Sequence, residues 1–220
     1  MHVLIINGSP RVKKYSNTDK ILERFTGGLC EEGSGEGNTF EQYEISDKGQ
    51  WDTIREEYYR NSNIIIALPL FVECIPGLLM EFLESLKVRE DNAAIAYILQ
   101  SGFAEGVQLR CGETYLEELT KRLGCEYRGT LVKGSNFGIR LTEGKARDKI
   151  TAPYEEMGRE FSKTGNFFSD KCRAFTGPEV FPAFVRFLLG IMFKTAGRKS
   201  FDKAAKSWGC TLPLDYRPYD

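Results

Sequence analysis

Three short runs of consecutive apolar residues dominate the hydrophobic pattern of this chain. Residues 3–6, 64–68 and 93–99 consist almost wholly of Val, Ile, Leu and Ala, and each run gives way to a turn or loop. Short, continuous apolar runs are typical of strands that are buried on both faces of a parallel sheet. We therefore predict three central parallel strands, with two more polar strands at residues 39–45 and 126–133.

The segments between these runs have helical periodicity. Ile21, Leu22, Phe25 and Leu29 fall on one face of a helix over residues 17–29. Three further helices are predicted at residues 51–59, 76–86 and 113–123, and a polar, glycine-rich loop at 33–38. Alternating strands and helices predict a parallel sheet covered on both faces.

The last third of the chain lacks strand patterns and predicts helices at residues 145–163, 181–193 and 201–207. The predicted fold class is accordingly α/β, a three-layer α/β/α sandwich with a five-stranded parallel sheet, and we expect the strand order 2-1-3-4-5. We place the domain that contains this sheet at residues 1–140. Residues 141–220 form a helical C-terminal extension, which we expect to pack on that domain or on a dimer partner.

The composition excludes several classes of function. Lys and Arg number 30 against 31 Asp and Glu, so the net charge of −1 gives no general attraction to nucleic acid or to an anionic membrane. The six cysteines form no C-x-x-C pair and there is a single histidine, which argues against zinc and iron–sulfur sites. Without a recognisable signal peptide, we expect reduced thiols and a cytoplasmic protein.

A polar loop follows the first apolar strand and can hold a phosphate. It reads Asn7-Gly8-Ser9-Pro10-Arg11 and continues to Ser16, Asn17 and Thr18 at the start of the first helix. Backbone N–H groups, the positive end of a helix dipole, hydroxyls and a guanidinium would meet there. Neither the Walker motif nor G-x-G-x-x-G is present. A plain turn with a helix cap is the structural alternative.

Two further loops follow the other apolar strands. Residues 69–77 form an apolar loop bounded by prolines, which can pack Phe71 along a flat ring or simply cover the core. Residues 100–106 carry Gly102 and Gly106, which allow close backbone approach to a ligand or give a flexible loop. With the order 2-1-3-4-5, strands one, three and four are neighbours. All three loops would then meet at the topological switch point, where such sheets bind ligands.

The stretch V-L-I-I-N-G-S-P-R, with S-N-T downstream, resembles the phosphate loop of the NADPH-dependent FMN reductase family, within the flavodoxin-like superfamily. Pro69, Phe71 and Pro76-Gly77 are similar to the second loop of that family, and residues 100–103 to its third. Two departures are Phe71, where the family more often has Tyr, and Glu73-Cys74, where it usually has a small Gly-Ser pair.

This resemblance implies an FMN-dependent NAD(P)H oxidoreductase. NADPH or NADH would be the co-substrate, and a quinone, nitro compound or flavin the acceptor. It implies no catalytic residue in the narrow sense, because the cofactor carries the chemistry. We also expect a homodimer or higher homo-oligomer. The implied FMN-binding residues are Ser9, Arg11, Ser16, Asn17, Thr18, Pro69, Leu70, Phe71, Val72, Ser101, Gly102 and Phe103.

Two other functions stay open at this point. One is an electron-transfer flavodoxin that docks on protein partners, although such proteins are usually more acidic than this chain. The other is a flavin-free binding protein on the same scaffold, which the Glu73-Cys74 departure keeps open.

Residues 180–193 are apolar nearly all round, so we expect them to be buried against the core or a dimer partner. They are too few to span a bilayer. The alternative is attachment to an anionic membrane surface through the basic residues that follow, Lys194, Arg198, Lys199, Lys203 and Lys206.

Overall fold

A computed structural model describes residues 1–31 and 37–217 of the chain. Five strands form one sheet in which all neighbouring strands are parallel. Their order is β2-β1-β3-β4-β5, which confirms the predicted flavodoxin-like order. The strands are β1 His2–Asn7, β2 Thr39–Glu44, β3 Asn63–Pro69, β4 Ala94–Gln100 and β5 Glu126–Lys133.

Helices of residues 1–179 cover both faces of this sheet. Because the side chains of a strand alternate between faces, Leu4 and Ile6 belong to one fully buried cluster and Val3 and Ile5 to another. The α-helices are α1 Asn17–Leu29, α2 Trp51–Arg60, α3 Gly77–Glu84, α4 Arg110–Arg122, α5 Gly144–Thr151, α6 Pro153–Thr164, α7 Asp170–Phe175, α8 Ala183–Met192 and α9 Arg198–Ser207. Short 3₁₀ segments include Asn136–Leu141 after β5.

Helices α1 and α6 pack against each other at two glycines. A Cβ on Gly28 would lie 1.9 Å from the carbonyl oxygen of Glu155, and one on Gly158 would lie 2.0 Å from that of Phe25. The two backbones therefore approach closely because neither residue has a side chain. This contact holds α6 on the same face of the sheet as α1, so part of the predicted C-terminal extension belongs to the core.

The structure divides the chain after Glu179, later than the predicted domain end at residue 140. The reason is that helices α6 and α7 contribute Tyr154, Met157, Phe161 and Cys172 to a buried cluster of the sheet. We call residues 1–179 the compact unit and residues 180–220 the C-terminal segment.

Two details of the helices differ from the prediction, and one predicted loop is only partly described. The single helix predicted over 145–163 is two helices, because Pro153 has no N–H to donate and begins α6 instead. Helix α7 was not predicted. The polar loop predicted at 33–38 lies mostly outside the described residues.

The C-terminal segment contains α8, a π-helical turn at Phe193–Gly197 and α9. None of the ten residues of α8 and none of the ten of α9 is buried. Burial of residues 180–193 against the core or a dimer partner therefore stays a prediction. No helix within residues 1–31 and 37–217 is long and apolar enough to cross a membrane.

Candidate functional site

A cleft of ≈ 250 Å³ opens at the carboxyl edge of the sheet, where β1, β3 and β4 end. It combines polar and apolar walls from four separate loops. Its lining residues are Ser9, Arg11, Asn17, Thr18, Pro69, Leu70, Phe71, Gln100, Gly102, Phe137 and Arg140.

The loop after β1 is held tightly by its own backbone and side chains. The N–H of Ser9 donates to Asn7 Oδ1 at 3.1 Å, and the N–H of Arg11 donates to Ser9 Oγ at 3.3 Å. A Cβ on Gly8 would lie 2.8 Å from the Leu79 side chain and 3.1 Å from the Ala67 carbonyl oxygen, so a larger residue would crowd this turn. The turn brings Ser9 and Arg11 to the cleft wall.

Ser16 has a local structural role. Its Oγ accepts a hydrogen bond from the N–H of Asp19 at 3.1 Å, which makes it the N-cap of α1. The side chain is buried and is not part of the cleft wall. The next residues, Asn17 and Thr18, line the cleft because they form the first turn of the capped helix.

Asn17 is anchored on one side and open on the other. Its Nδ2 donates to the carbonyl of Asn136 at 2.9 Å, and Asn136 Nδ2 in turn donates to the Tyr154 hydroxyl at 2.8 Å. Burial raises the pKa of Tyr154, so this hydroxyl stays neutral. Asn17 Oδ1 is buried and has no hydrogen-bond partner among the described residues. An unpaired acceptor in a cleft wall suits a ligand hydroxyl or N–H.

Two arginines give the cleft its positive charge. Burial, and after it the charge of Arg140, lower the pKa of Arg11 from its ordinary value. The Arg11 guanidinium nevertheless stays charged at neutral pH, since arginine is protonated in ordinary protein environments. Among the described residues, no carboxylate forms an ion pair with either one. Two neighbouring cations without an acidic partner favour binding of an anion.

The loop after β3 supplies the apolar wall. The N–H of Leu70 donates to the Gln100 carbonyl at 2.8 Å, which ties this loop to the end of β4. Phe71 and Cys74 exchange two backbone hydrogen bonds across a tight turn, with φ of 46° at Val72 and 67° at Glu73. Val72 is 74% exposed and does not line the cleft.

The loop after β4 contributes less than the sequence suggested. Ser101 is buried, and its Oγ accepts from the N–H of Phe103 at 3.1 Å. Gly102 lines the cleft, and a Cβ there would lie 3.4 Å from Phe137, so the two residues are in close contact. Phe103 is half-exposed and lies outside the lining.

Eight of the twelve predicted site residues come together in the cleft, namely Ser9, Arg11, Asn17, Thr18, Pro69, Leu70, Phe71 and Gly102. The other four, Ser16, Val72, Ser101 and Phe103, belong to the same loops and do not line it. Sequence reasoning placed Gln100 in the third loop without assigning it to the site, and it missed Phe137 and Arg140. The last two lie in the segment after β5, which also ends at this edge, so the strand order itself could have indicated them.

The described residues contain no group of three or more His, Cys, Asp or Glu side chains that could hold a metal ion. The chemistry of the cleft therefore has to be argued from its guanidiniums, hydroxyls, amides and apolar walls. These groups bind and orient a ligand.

No family model matches the sequence, and a search of curated proteins found no similar one. Solved structures do match. One is the NAD(P)H:quinone oxidoreductase from Methanothermobacter marburgensis, with 17% identity over 76% of this chain and 99% of the other and a TM-score of 0.55. The chain has a flavodoxin-like fold.

Two more solved structures support this assignment of the fold. An FMN-dependent NADH-azoreductase from Bacillus anthracis in complex with FMN is 15% identical over 74% of this chain and 99% of the other, with a TM-score of 0.53. A flavone reductase is 14% identical over 74% of this chain and 62% of the other, with a TM-score of 0.54.

Proposed function

We propose that this flavodoxin-like protein binds FMN in the cleft and is an NAD(P)H-dependent oxidoreductase. The acceptor would be a small molecule such as a quinone, a nitro compound or a flavin. The observation that carries the proposal is the cation pair Arg11 and Arg140, without an acidic partner, in a cleft that also has apolar and aromatic walls. A ligand with a phosphate and a flat ring satisfies both features.

The polar part of the cleft fits the phosphate of FMN. Ser9 and Thr18 offer hydroxyls, α1 begins beside them, and Arg11 and Arg140 offer charge. A phosphate at the start of a helix also gains from the helix dipole. Bound phosphate would relieve the repulsion between the two guanidiniums.

The remaining walls fit the ribityl chain and the ring. Asn17 Oδ1 would accept a hydrogen bond from a ribityl hydroxyl, which would satisfy its buried, unpaired oxygen. Pro69, Leu70 and Phe71 would pack along one part of the ring system. Gly102, without a side chain, would let the backbone approach it.

FMN would supply the hydride chemistry, with NADPH or NADH as the donor. The chain would hold and orient the cofactor and exclude water from part of it. The cleft volume lies slightly below the usual range of about 300–1,000 Å³ for small-molecule sites, so a flavin-sized ligand would stay partly accessible to a second substrate. The enzymes named azoreductase, quinone oxidoreductase and flavone reductase share this fold and support the proposal.

The decisive experiment is to load the purified protein with flavin, denature it and identify the released flavin by chromatography. We expect FMN. Anaerobic addition of NADH or NADPH should then bleach the flavin absorbance. Initial rates at several acceptor concentrations should give parallel double-reciprocal lines, because donor and acceptor use one face in turn. Failure to take up flavin would favour a flavin-free binding protein, and uptake without reduction would favour an electron-transfer flavodoxin.

Single arginine variants test the phosphate site. Replacing Arg11 or Arg140 by Ala should weaken FMN binding about tenfold or more, because a hydrogen bond to a charged group contributes about 1.5–3 kcal/mol. Riboflavin lacks the phosphate, so its affinity should hardly change. Arg122→Ala, on the far end of α4, is the matched control. Equal losses for FMN and riboflavin would contradict a phosphate role.

A further inference from the structure

Helix α8 presents a large apolar surface to solvent. Phe184 is 70% exposed and Phe187 is 65% exposed, and the residues one turn further along the same face, Leu188 and Ile191, are also exposed. Exposed apolar patches of this kind usually mark a site where another surface docks. No part of the proposed FMN cleft involves them.

Helix α9 has two different faces. Lys199, Lys203 and Lys206 follow the spacing of one helical face, and none of them is buried. Phe201 and Trp208 lie on the opposite face and are exposed. A basic face opposite an aromatic one is the pattern of helices that lie in the plane of a membrane interface.

The charge of the chain is distributed unevenly. Residues 180–220 contain seven Lys and Arg against three Asp and Glu, whereas the whole chain contains 30 against 31. The C-terminal segment is therefore basic and the compact unit acidic, although the net charge of −1 hides the difference. A basic segment beside exposed apolar residues complements an anionic lipid surface.

We propose that the C-terminal segment binds the surface of an anionic lipid bilayer. Phe184, Phe187 and Ile191 enter the boundary between headgroups and acyl chains, and the lysines of α9 contact the headgroups. The ten residues of α8 are too few to span the bilayer, so the segment lies on it. An acceptor that is dissolved in the membrane would then be delivered near the enzyme.

A second copy of the segment is a poorer occupant. Across a two-fold axis, the same surface of both copies meets, so the basic residues of one would approach those of the other. Within the described part of the segment, the acidic residues are Asp202 and Asp215. These already pair with Lys206 and Arg198 at 2.9 Å. An anionic bilayer has no such repulsion.

The test uses the full-length protein and vesicles of phosphatidylcholine with about 30% phosphatidylserine, against vesicles of phosphatidylcholine alone. We expect co-sedimentation with the anionic vesicles, much weaker binding to the neutral ones, and loss of binding as salt rises. Emission from Trp208, which is 71% exposed, should shift to shorter wavelength on binding. Trp208→Phe should remove that shift.

Two double variants separate charge from apolar contact. Lys199→Glu with Lys203→Glu should weaken binding about 30-fold or more, since each basic residue near the surface contributes about fivefold and a reversed charge also repels. Lys145→Glu with Lys149→Glu changes the same charge on α5 and should leave binding within about twofold. Phe184→Ser with Phe187→Ser should abolish the emission shift.

Absence of binding to the anionic vesicles would overturn the proposal, and so would equal binding by the Lys199 and Lys203 variant. If the Phe184 and Phe187 variant instead lowers the mass of the protein in solution, the apolar face is an interface between copies of this chain. Thermal unfolding of each variant, followed by circular dichroism, checks that the fold is intact. These outcomes do not depend on FMN binding.

Discussion

Helices α3 and α8 have similar apolar content and opposite surroundings. Helix α3, with the sequence GLLMEFLE, buries Leu79, Phe82 and Leu83 in the core. Helix α8, with the sequence AFVRFLLGIM, is at least as apolar and buries none of its residues. An apolar helix face is stabilised when another apolar surface packs against it, and the core provides that surface for α3.

The largest expected effect is a difference in protein stability between a variant in α3 and a variant in α8. Phe82 is fully buried and packs edge-on against Trp51, with the two ring centroids 5.5 Å apart. Phe82→Ala should therefore lower the free energy of unfolding by about 3–5 kcal/mol. Phe187→Ala on α8 should change it by less than about 0.5 kcal/mol. Urea unfolding of the three proteins measures both values. A large loss for Phe187→Ala would mean that α8 is covered in solution.

Glycines give a second comparison of packing. Gly28→Ala would force a Cβ to within 1.9 Å of the Glu155 carbonyl, which should cost about 2–3 kcal/mol as α6 moves away. At Gly27 and Gly190 nothing lies within 4 Å of the added Cβ. Alanine there should raise helix stability by about 0.5–1 kcal/mol.

Thermal unfolding of Gly28→Ala, Gly27→Ala and Gly190→Ala provides the measurement, with Gly27 as the matched control on the same helix. If Gly28→Ala unfolds at the same temperature as the unchanged protein, the close contact of α1 and α6 is not made in solution.

Positive φ angles occur at different residue types in the C-terminal segment and at the rim of the cleft. The C-terminal segment uses Gly209 at φ of 85°, whereas the rim of the cleft uses Val72 at 46°. A β-branched residue with this backbone angle is strained by about 1–2 kcal/mol. Glycine would relieve the strain, but it loses more conformational entropy on folding, which offsets part of the gain. Val72→Gly should therefore stabilise the protein by about 0.5–1 kcal/mol in urea unfolding. Lower stability would show that the Val72 side chain makes a contact that offsets the strain.

The smallest effect concerns a partly buried carboxylate of the compact unit. Burial, followed by repulsion from Asp19, raises the pKa of Glu44. Folding therefore favours the protonated form of Glu44, and the charged form destabilises the fold. This destabilisation is absent below the unfolded pKa, grows as pH rises above it, and is complete above the raised folded pKa. Glu44→Gln should stabilise the protein by a few tenths of a kcal/mol at pH 7 and not at pH 4.

Unfolding curves at both pH values test this, with Glu84→Gln on the exposed end of α3 as the control. A gain that is the same at pH 4 and pH 7 would contradict an electrostatic origin. In the C-terminal segment, Asp215 shows the opposite behaviour, since its hydrogen bond to Arg198 lowers its pKa.

The sequence by itself determined the sheet and much of the cleft. Continuous apolar runs such as residues 64–68 can only be satisfied by burial on both faces, which requires a parallel sheet with two helical layers. Turn residues at the strand ends then located the ligand loops, because in such a sheet all carboxyl ends lie at one edge. That reasoning reached Ser9, Arg11 and Asn17 without any knowledge of contacts.

Only the tertiary structure decided which side chains of those loops meet. Ser16 and Ser101 use their hydroxyls for the local backbone, which depends on dihedral angles that the residue types do not fix. Arg140 joins Arg11 across more than a hundred residues of chain, because β5 lies beside β4. Likewise, the apolar sequence of α8 resembles that of a core helix. No residue of α8 is buried, and no local pattern encodes that difference.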